Sequence, residues 1–344
     1  MRIAELFEPR KFRIVDGEVS DPGPGEIQVR VQAVGICGSD THYFAGRRDH
    51  EPQTIYPFVL GHEFAGDVAA VGEGVTGVDI GARVCCAPDQ PCGRCEWCRK
   101  GEINVCPDVR FAGSGGIVGC LSEYYLVKSS QLHPIPDSLG YAQATLAEPL
   151  AIGLHIVDNL IGPHGNRIAA VVGAGPIGLC TCFALKLRKV PTVYVSDRLA
   201  PRLQAARRLG ADGTCLVSAE SFLDFIREKT AGRGVDIAVE AAGELAAIPE
   251  AVGLAAIHGT VVIEGIPEGS ITELNIDFCR RRELKIVFGR RSVHKTDEAL
   301  RLIAQGTFDT GVLITHEFAL HEAQKAFEIA RDYSEGAIKV ILKP

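Results

Sequence analysis

The run Ile168-Ala169-Ala170-Val171-Val172-Gly173-Ala174-Gly175-Pro176-Ile177-Gly178 decides how this chain folds. A continuous apolar strand is followed by glycines in the order G-x-G-x-x-G, and residues 179–189 continue as a helix. A strand, tight turn and helix of this kind present backbone N–H groups at a helix N-terminus, which is where a pyrophosphate binds. The glycine pattern alone is weak, and its surroundings strengthen it. A second apolar strand, Thr192-Val193-Tyr194-Val195-Ser196, leads to Asp197, nineteen residues past Gly178. A carboxylate at that place hydrogen-bonds both ribose hydroxyls of NAD and repels the extra phosphate of NADP. Arg198 and Arg202 follow and can accommodate that phosphate, so NAD is preferred and NADP kept as the lesser alternative. A helix N-cap role for Asp197, with Pro201 near the helix start, is compatible with the ribose role. The candidate cofactor-binding residues are Gly173, Gly175, Pro176, Ile177, Gly178, Asp197, Arg198 and Arg202.

Downstream, residues 213–217, 235–239, 260–263 and 284–288 read as strands, separated by helical stretches at 221–230 and 244–257. The expectation is an α/β fold: a doubly wound parallel sheet of about six strands spanning residues 151–288. Residues 295–305 and 321–332 read as amphipathic helices and 337–342 as a strand. That strand is expected to return to the first domain, because no other sheet is left for it to join. Upstream, residues 1–127 are short strands broken by Gly and Pro. Glu26-Ile27-Gln28-Val29-Arg30-Val31-Gln32-Ala33-Val34 alternates as a half-buried strand does, and 64–71, 82–87 and 124–127 are further strands of a partly open barrel. The predicted division is 1–150 with 289–344 against 151–288. Residues 141–160 read as a helix in which Pro149 forces a kink or a fresh start.

Within the β-rich part, Gly35-Ile36-Cys37-Gly38-Ser39-Asp40 and Leu60-Gly61-His62-Glu63 bring forward Cys37, His62 and Glu63. A thiolate, an imidazole and a carboxylate are the ligand types of an open zinc site, which keeps a fourth position for water or substrate. Taken without context such a trio proves little. Cys92, Cys95, Cys98 and Cys106 have the spacing C-x2-C-x2-C-x7-C, and four thiolates so close in sequence close a tetrahedron around a structural zinc. Seven other cysteines, Cys85, Cys86, Cys120, Cys180, Cys182, Cys215 and Cys279, mostly sit in apolar runs and read as small buried hydrophobes. Glu148 is an acid in an apolar helical run; it faces solvent or, if buried, wants a cation, a metal among the candidates. The charged loop at 47–54 reads as solvated, or as a substrate rim between the two ligand-bearing segments.

With 344 residues, two domains are expected, and 46% hydrophobic and 23% charged residues describe an ordinary globular chain. A net charge of −7 without a basic patch argues against a nucleic-acid partner, and Arg280-Arg281-Arg282 reads as a solvated helix end. The first residues carry an early acid and no apolar h-region, and no apolar run is expected to approach the length needed to cross a bilayer. The expectation is a cytoplasmic protein without a membrane partner.

These motifs, in this order and spacing, resemble the zinc-dependent medium-chain dehydrogenase/reductases, most closely their polyol (sorbitol) and threonine dehydrogenase branch. The resemblance covers essentially the whole chain. It implies a GroES-like catalytic domain with a zinc lobe beside a Rossmann domain. It implies a catalytic zinc at Cys37, His62 and Glu63, with Glu148 where alcohol dehydrogenases place a second cysteine; Glu63 or Glu148 is the direct ligand, or acts through water. Ser39 then takes the alcohol proton, His42 relays it toward solvent, and Tyr43 matches a polyol-pocket tyrosine. The branch carries an Arg-Tyr pair just after the nucleotide domain, whereas this chain has Phe288-Gly289-Arg290-Arg291-Ser292. Arg290 or Arg291 replaces the arginine and no tyrosine follows, which leaves the polyol open. The implied activity is hydride transfer between NAD and a secondary alcohol such as a polyol, cyclitol or sugar derivative, by a homo-oligomer, a tetramer before a dimer. Oxidation of threonine or 2,3-butanediol is the nearest alternative. A NAD-binding protein without turnover, structural or redox-sensing, is the alternative of another class; it would have no need of Cys37, Ser39, His42, His62 and Glu63 together.

Overall fold

The structure, a computed structural model, describes residues 1–46, 55–162 and 167–344. The loop at 47–54, read above as solvated or as a substrate rim, lies outside the described residues. The chain forms two compact units, Met1–Glu148 with Thr296–Pro344 and Pro149–Lys295.

The first unit opens with the hairpin β1 (Arg2–Glu8) and β2 (Lys11–Asp16). It continues through β3 (Glu26–Gly35), α1 (Gly38–Phe44), β4 (Glu63–Val71), β5 (Arg83–Cys86), β6 (Asp89–Gln90) and α2 (Glu96–Arg99). Then come β7 (Arg110–Phe111), β8 (Tyr124–Lys128), β9 (Leu132–Pro134) and α3 (Tyr141–Thr145), and α4 (Ala147–His155) carries the chain into the second unit, which begins at Pro149. The predicted helix over 141–160 is therefore broken at Leu146 and restarts at Ala147. Pro149 falls in the first turn of α4, where its missing N–H removes no intrahelical bond. A π-helical segment, Ile156–Ile161, follows. The sequence reading missed that the helical stretch Tyr141–Ile161 is long and apolar enough to span a bilayer; 72% of its apolar window is buried inside the protein, as in a core helix.

The second unit continues with β10 (Ile168–Val172), α5 (Pro176–Leu187), β11 (Thr192–Asp197), α6 (Ala200–Arg208) and β12 (Gly213–Leu216). They are followed by α7 (Phe222–Lys229), β13 (Val235–Glu240), α8 (Ala247–Leu254), β14 (Ala255–Ile263), α9 (Ile276–Arg282) and β15 (Lys285–Phe288). The strands are parallel in the order β12-β11-β10-β13-β14-β15, so the order reverses between β10 and β13, the crevice where such sheets hold dinucleotides. The close crossing of α5 over β10 requires Gly178, since a Cβ there would lie 2.0 Å from the Gly173 carbonyl oxygen. The helix predicted to reach residue 257 stops at Leu254, because Ala255 already pairs with Val235. Arg280, Arg281 and Arg282 do end a helix, the first two paired with Asp277 at 2.7 and 2.6 Å.

The chain then returns to the first unit as α10 (Thr296–Ala304), β16 (Ile314–Ala319), α11 (Ala323–Asp332) and β17 (Lys339–Lys343). The last strand joins the main sheet of that unit, ordered β16-β17-β3-β4-β5-β9 with β8 also on β3. Central β3 pairs three neighbours and is buried along most of its length, more fully than its alternating sequence implied. Phe12, Phe44 and Phe327 close the adjoining core, with Phe327 ring centroids 4.7 Å from Phe12 and 5.4 Å from Phe44.

Candidate active site

Sheet register assembles the trio. Gly35, the last residue of β3, pairs with Glu63, the first of β4, and also with Ile341 of β17. Cys37, two residues beyond Gly35, therefore meets His62 and Glu63, and their ligand atoms lie within 4.8 Å of one another. Gly61 has φ +96°, a conformation glycine adopts without strain, as the chain turns into His62.

Asp40 lies beside two members of the trio, Cys37 and His62. Its carboxylate accepts hydrogen bonds from the Cys37 N–H at 3.0 Å and the Gly61 N–H at 3.4 Å, and lies 3.4 Å from His62 Nδ1. A carboxylate behind a ligating histidine fixes the ring's orientation and raises its basicity. Burial disfavours a charge on His62, but Asp40 and Cys37 outweigh it and raise its pKa. The Phe111 ring, 5.0 Å from the His62 ring, covers its flank.

The residue that sequence reasoning missed is Lys339. It is 1% exposed, and its ammonium donates to Glu63 Oε1 at 2.7 Å, Glu63 Oε2 at 2.6 Å and the Ile36 carbonyl at 3.1 Å. Burial works against the Lys339 charge, yet Glu63 and Cys37 outweigh it and its pKa is raised. The only signal in sequence was one cation in the apolar strand Ala337-Ile338-Lys339-Val340-Ile341-Leu342.

Glu148, the last residue of the first unit, is outside the group of three whose ligand atoms lie within 4.8 Å. Its Oε2 is buried without a hydrogen-bond partner, and burial with the Glu63 charge pushes its pKa up to about 7. An acid so placed suits a divalent cation, as does the mixed sulfur, nitrogen and oxygen donor set of the trio. Ser39, His42 and Tyr43 ride on α1, Ser39 and His42 one helical turn apart. Tyr43 is buried, its hydroxyl 3.0 Å from Ser114 Oγ. Arg290 belongs to the second unit, just past β15.

The four-cysteine lobe converges as its spacing predicts, all four sulfurs within 4.8 Å of one another. Cys95 caps α2, its sulfur accepting the Cys98 N–H at 3.4 Å, and Cys92 and Cys106 sulfurs accept the N–H groups of Cys95 and Cys92 at the same distance. The N–H groups of Arg94 and Cys95 lower Cys92 to about 6, while desolvation and the neighbouring sulfurs push Cys98 up to about 12. A divalent cation removes that conflict between crowded thiols. Of the remaining cysteines, six are buried and Cys279 is partly exposed.

In the second unit Gly175 and Pro176 start α5, and an added Cβ on Gly175 would meet only Arg202 Nη1, at 3.9 Å, so the turn leaves room beside the helix N-terminus. Asp197 ends β11; its carboxylate accepts the Ala174 N–H at 2.7 Å and the Leu199 N–H at 2.8 Å, fastening the glycine turn to the strand. Arg202 Nη1 lies 4.0 Å from Asp197, whereas Arg198 is exposed and reaches Glu244 at 3.4 Å. The turn fits a dinucleotide pyrophosphate and the acid fits a ribose.

Comparison with known proteins gives the family of the chain. The alcohol dehydrogenase GroES-like domain family matches residues 23–137, and the zinc-binding dehydrogenase family matches residues 176–305. Sorbitol dehydrogenase of Bacillus subtilis (strain 168) is 35% identical over 344 residues, covering 100% of this chain and 97% of that protein. A zinc-binding dehydrogenase of Sinorhizobium meliloti 1021, solved bound to NADP, is 32% identical with a TM-score of 0.91, covering 100% of this chain and 99% of that one. An alcohol dehydrogenase of Escherichia coli CFT073, RspB, solved with NADH, is 31% identical with the same TM-score and the same coverage.

Proposed function

The chain belongs to the zinc-dependent medium-chain dehydrogenases, and from that premise we propose that it transfers hydride between NAD and a secondary alcohol of a polyol, cyclitol or sugar derivative. The observation that carries this reading is the convergence of Cys37, His62 and Glu63 in a chain that also carries a dinucleotide-binding sheet. The likeness to a sorbitol dehydrogenase over its full length supports the polyol class.

Cys37, His62 and Glu63 would hold the catalytic zinc ion, with Glu148 as a further candidate ligand, and the cysteine lobe would hold a second, structural one. When bound, the catalytic zinc supplies Lewis acidity that lowers the pKa of the substrate hydroxyl. Ser39 accepts the proton of that hydroxyl, and His42, one turn further along α1, passes it toward solvent. Loss of that proton would let the carbinol carbon release its hydride to an oxidised nicotinamide, the chemistry that the cofactor would supply when bound. Lys339 holds Glu63 in place through its ion pair, and the Asp40 carboxylate lies beside His62. Tyr43 and Arg290 are the residues proposed to touch the rest of the substrate. Gly173, Gly175, Pro176, Ile177 and Gly178 cradle the pyrophosphate and Asp197 the adenosine ribose, which favours NAD; Arg198 and Arg202 are the residues through which NADP would enter.

The test is cofactor reduction measured with polyols, inositols, sugar acids, threonine and 2,3-butanediol, first with NAD and then with NADP. Turnover with a polyol or cyclitol and NAD is expected. Turnover confined to threonine or butanediol would move the substrate class, and no turnover with any alcohol would sink the reading.

A further inference from the structure

One acidic side chain of the second unit has no part in the chemistry above. Glu264 follows directly on the last residue of β14, at the carboxyl edge of the sheet, and is 8% exposed. Both its oxygens lie near the Thr181 hydroxyl of α5, at 3.1 and 3.0 Å. Its backbone N–H and that of Gly265 both donate to the Glu240 carbonyl, at 2.9 and 3.0 Å, so the acid is fixed against the end of β13. Glu240 uses its own carboxylate to accept the N–H groups of Ala242 and Gly243, both at 2.8 Å.

The position gives this acid a meaning. The strand order reverses between β10 and β13, dividing the sheet into two mononucleotide halves. Asp197 at the end of β11 marks the half that takes the adenosine. β13, β14 and β15 form the other half, which by the general rule for such sheets would take the nicotinamide mononucleotide. We propose that Glu264 selects the redox state of the cofactor, its buried carboxylate favouring the cationic oxidised nicotinamide over the neutral reduced one. This rests on the nicotinamide-binding reading and goes beyond it. A buried carboxyl in low dielectric feels a nearby charge far more strongly than one in water.

The groups that act on the titration of Glu264 are the Thr181 hydroxyl on α5 and the Glu240 acid on β13; burial and Glu240 push its pKa up to about 8 against the Thr181 hydrogen bond. The carboxyl therefore carries its proton near neutral pH when the crevice is empty. Binding of the cationic ring draws the group into its ionised form, and the O–H proton leaves to solvent. No such release accompanies the reduced cofactor, whose ring brings no charge.

The experiment measures the dissociation constants of NAD+ and NADH on the zinc-loaded full chain across neutral to mildly alkaline pH. It uses wild type, Glu264→Gln, which keeps shape and the Thr181 contact, and Thr181→Val. In wild type the affinity for NAD+ relative to NADH should rise with pH through the titration of Glu264. Glu264→Gln should weaken NAD+ by roughly tenfold at the alkaline end, leave NADH within about twofold, and flatten the pH dependence, one pKa unit being about tenfold in affinity. Thr181→Val keeps the acid but loses the bond to its ionised form, so the pH at which the ratio changes should move upward; this arm stands if the glutamine variant does not fold. A ratio unchanged by both variants, or equal losses for both cofactor forms, would overturn the proposal while leaving the dehydrogenase reading intact. Wild type that binds neither form would overturn both.

Discussion

At the scale of single residues, the convergent trio was legible because ligand chemistry admits few side chains, and Cys37, His62 and Glu63 stand in quotable motifs. What sequence could not show was how Glu63 is held. Lys339 lies 276 residues away and reaches it only because β17 pairs with β3 beside β4. A lysine in a short apolar strand has no local mark that separates a buried ion-pair partner from a solvated edge. Removing one partner of a buried pair leaves an uncompensated charge, so Lys339→Met should cost about 3–5 kcal/mol of stability in denaturant melts. Adding Glu63→Gln should restore part of that loss. A Lys339→Met protein as stable as wild type would show that the pair does not hold the site. Asp40 was hidden in a different way: it was quoted as part of a motif, yet its contacts with Cys37, Gly61 and His62 required the fold.

At the scale of elements, the strand–glycine–helix unit was readable in full, because β10, the turn and α5 are contiguous and each has its own local signal. The boundaries that shifted did so where tertiary pairing overrode local preference, as at Ala255, which the ladder with Val235 takes from the preceding helix. The π-helical segment Ile156–Ile161 had no sequence signal. It carries Asp158, whose carboxylate accepts two bonds from Arg188 at 2.7 Å each and one from Lys295 at 2.6 Å. Arg188 first, then Lys295, lower the Asp158 pKa to about 2. Its folded pKa thus lies below the unfolded value of about 3.9, so its contribution is complete above that value and is lost as pH falls through about 2. Asp158→Asn should lower the melting temperature near neutral pH, and the gap from wild type should shrink steadily between about pH 5 and pH 2. A gap that stayed constant with pH would assign the loss to packing and not to the ion cluster.

At the scale of the whole molecule, the presence of two compact units was foreshadowed by a change of pattern along the chain, from glycine-broken strands to strand–helix alternation. The C-terminal return was also foreseeable, since a strand at the end of the chain needed a sheet to enter, and β17 enters the first unit. The two proposed metal sites follow from the contrast of open against closed coordination. Cys95→Ser should reduce bound zinc from about two ions per chain to about one and lower thermal stability, with the remaining ion still able to support turnover in whatever fraction stays folded. Unchanged zinc content in a stable Cys95→Ser protein would refute the closed site.

The central claim is that the Cys37, His62 and Glu63 centre works hydride out of an alcohol and into the cofactor. The most direct measurement follows deuterium from the carbinol carbon of a labelled polyol into the nicotinamide ring by mass spectrometry, comparing zinc-loaded wild type with Cys37→Ser. The account predicts label in the reduced cofactor for wild type, and none for the variant even though it still binds NAD. Label transferred equally by the variant would contradict it.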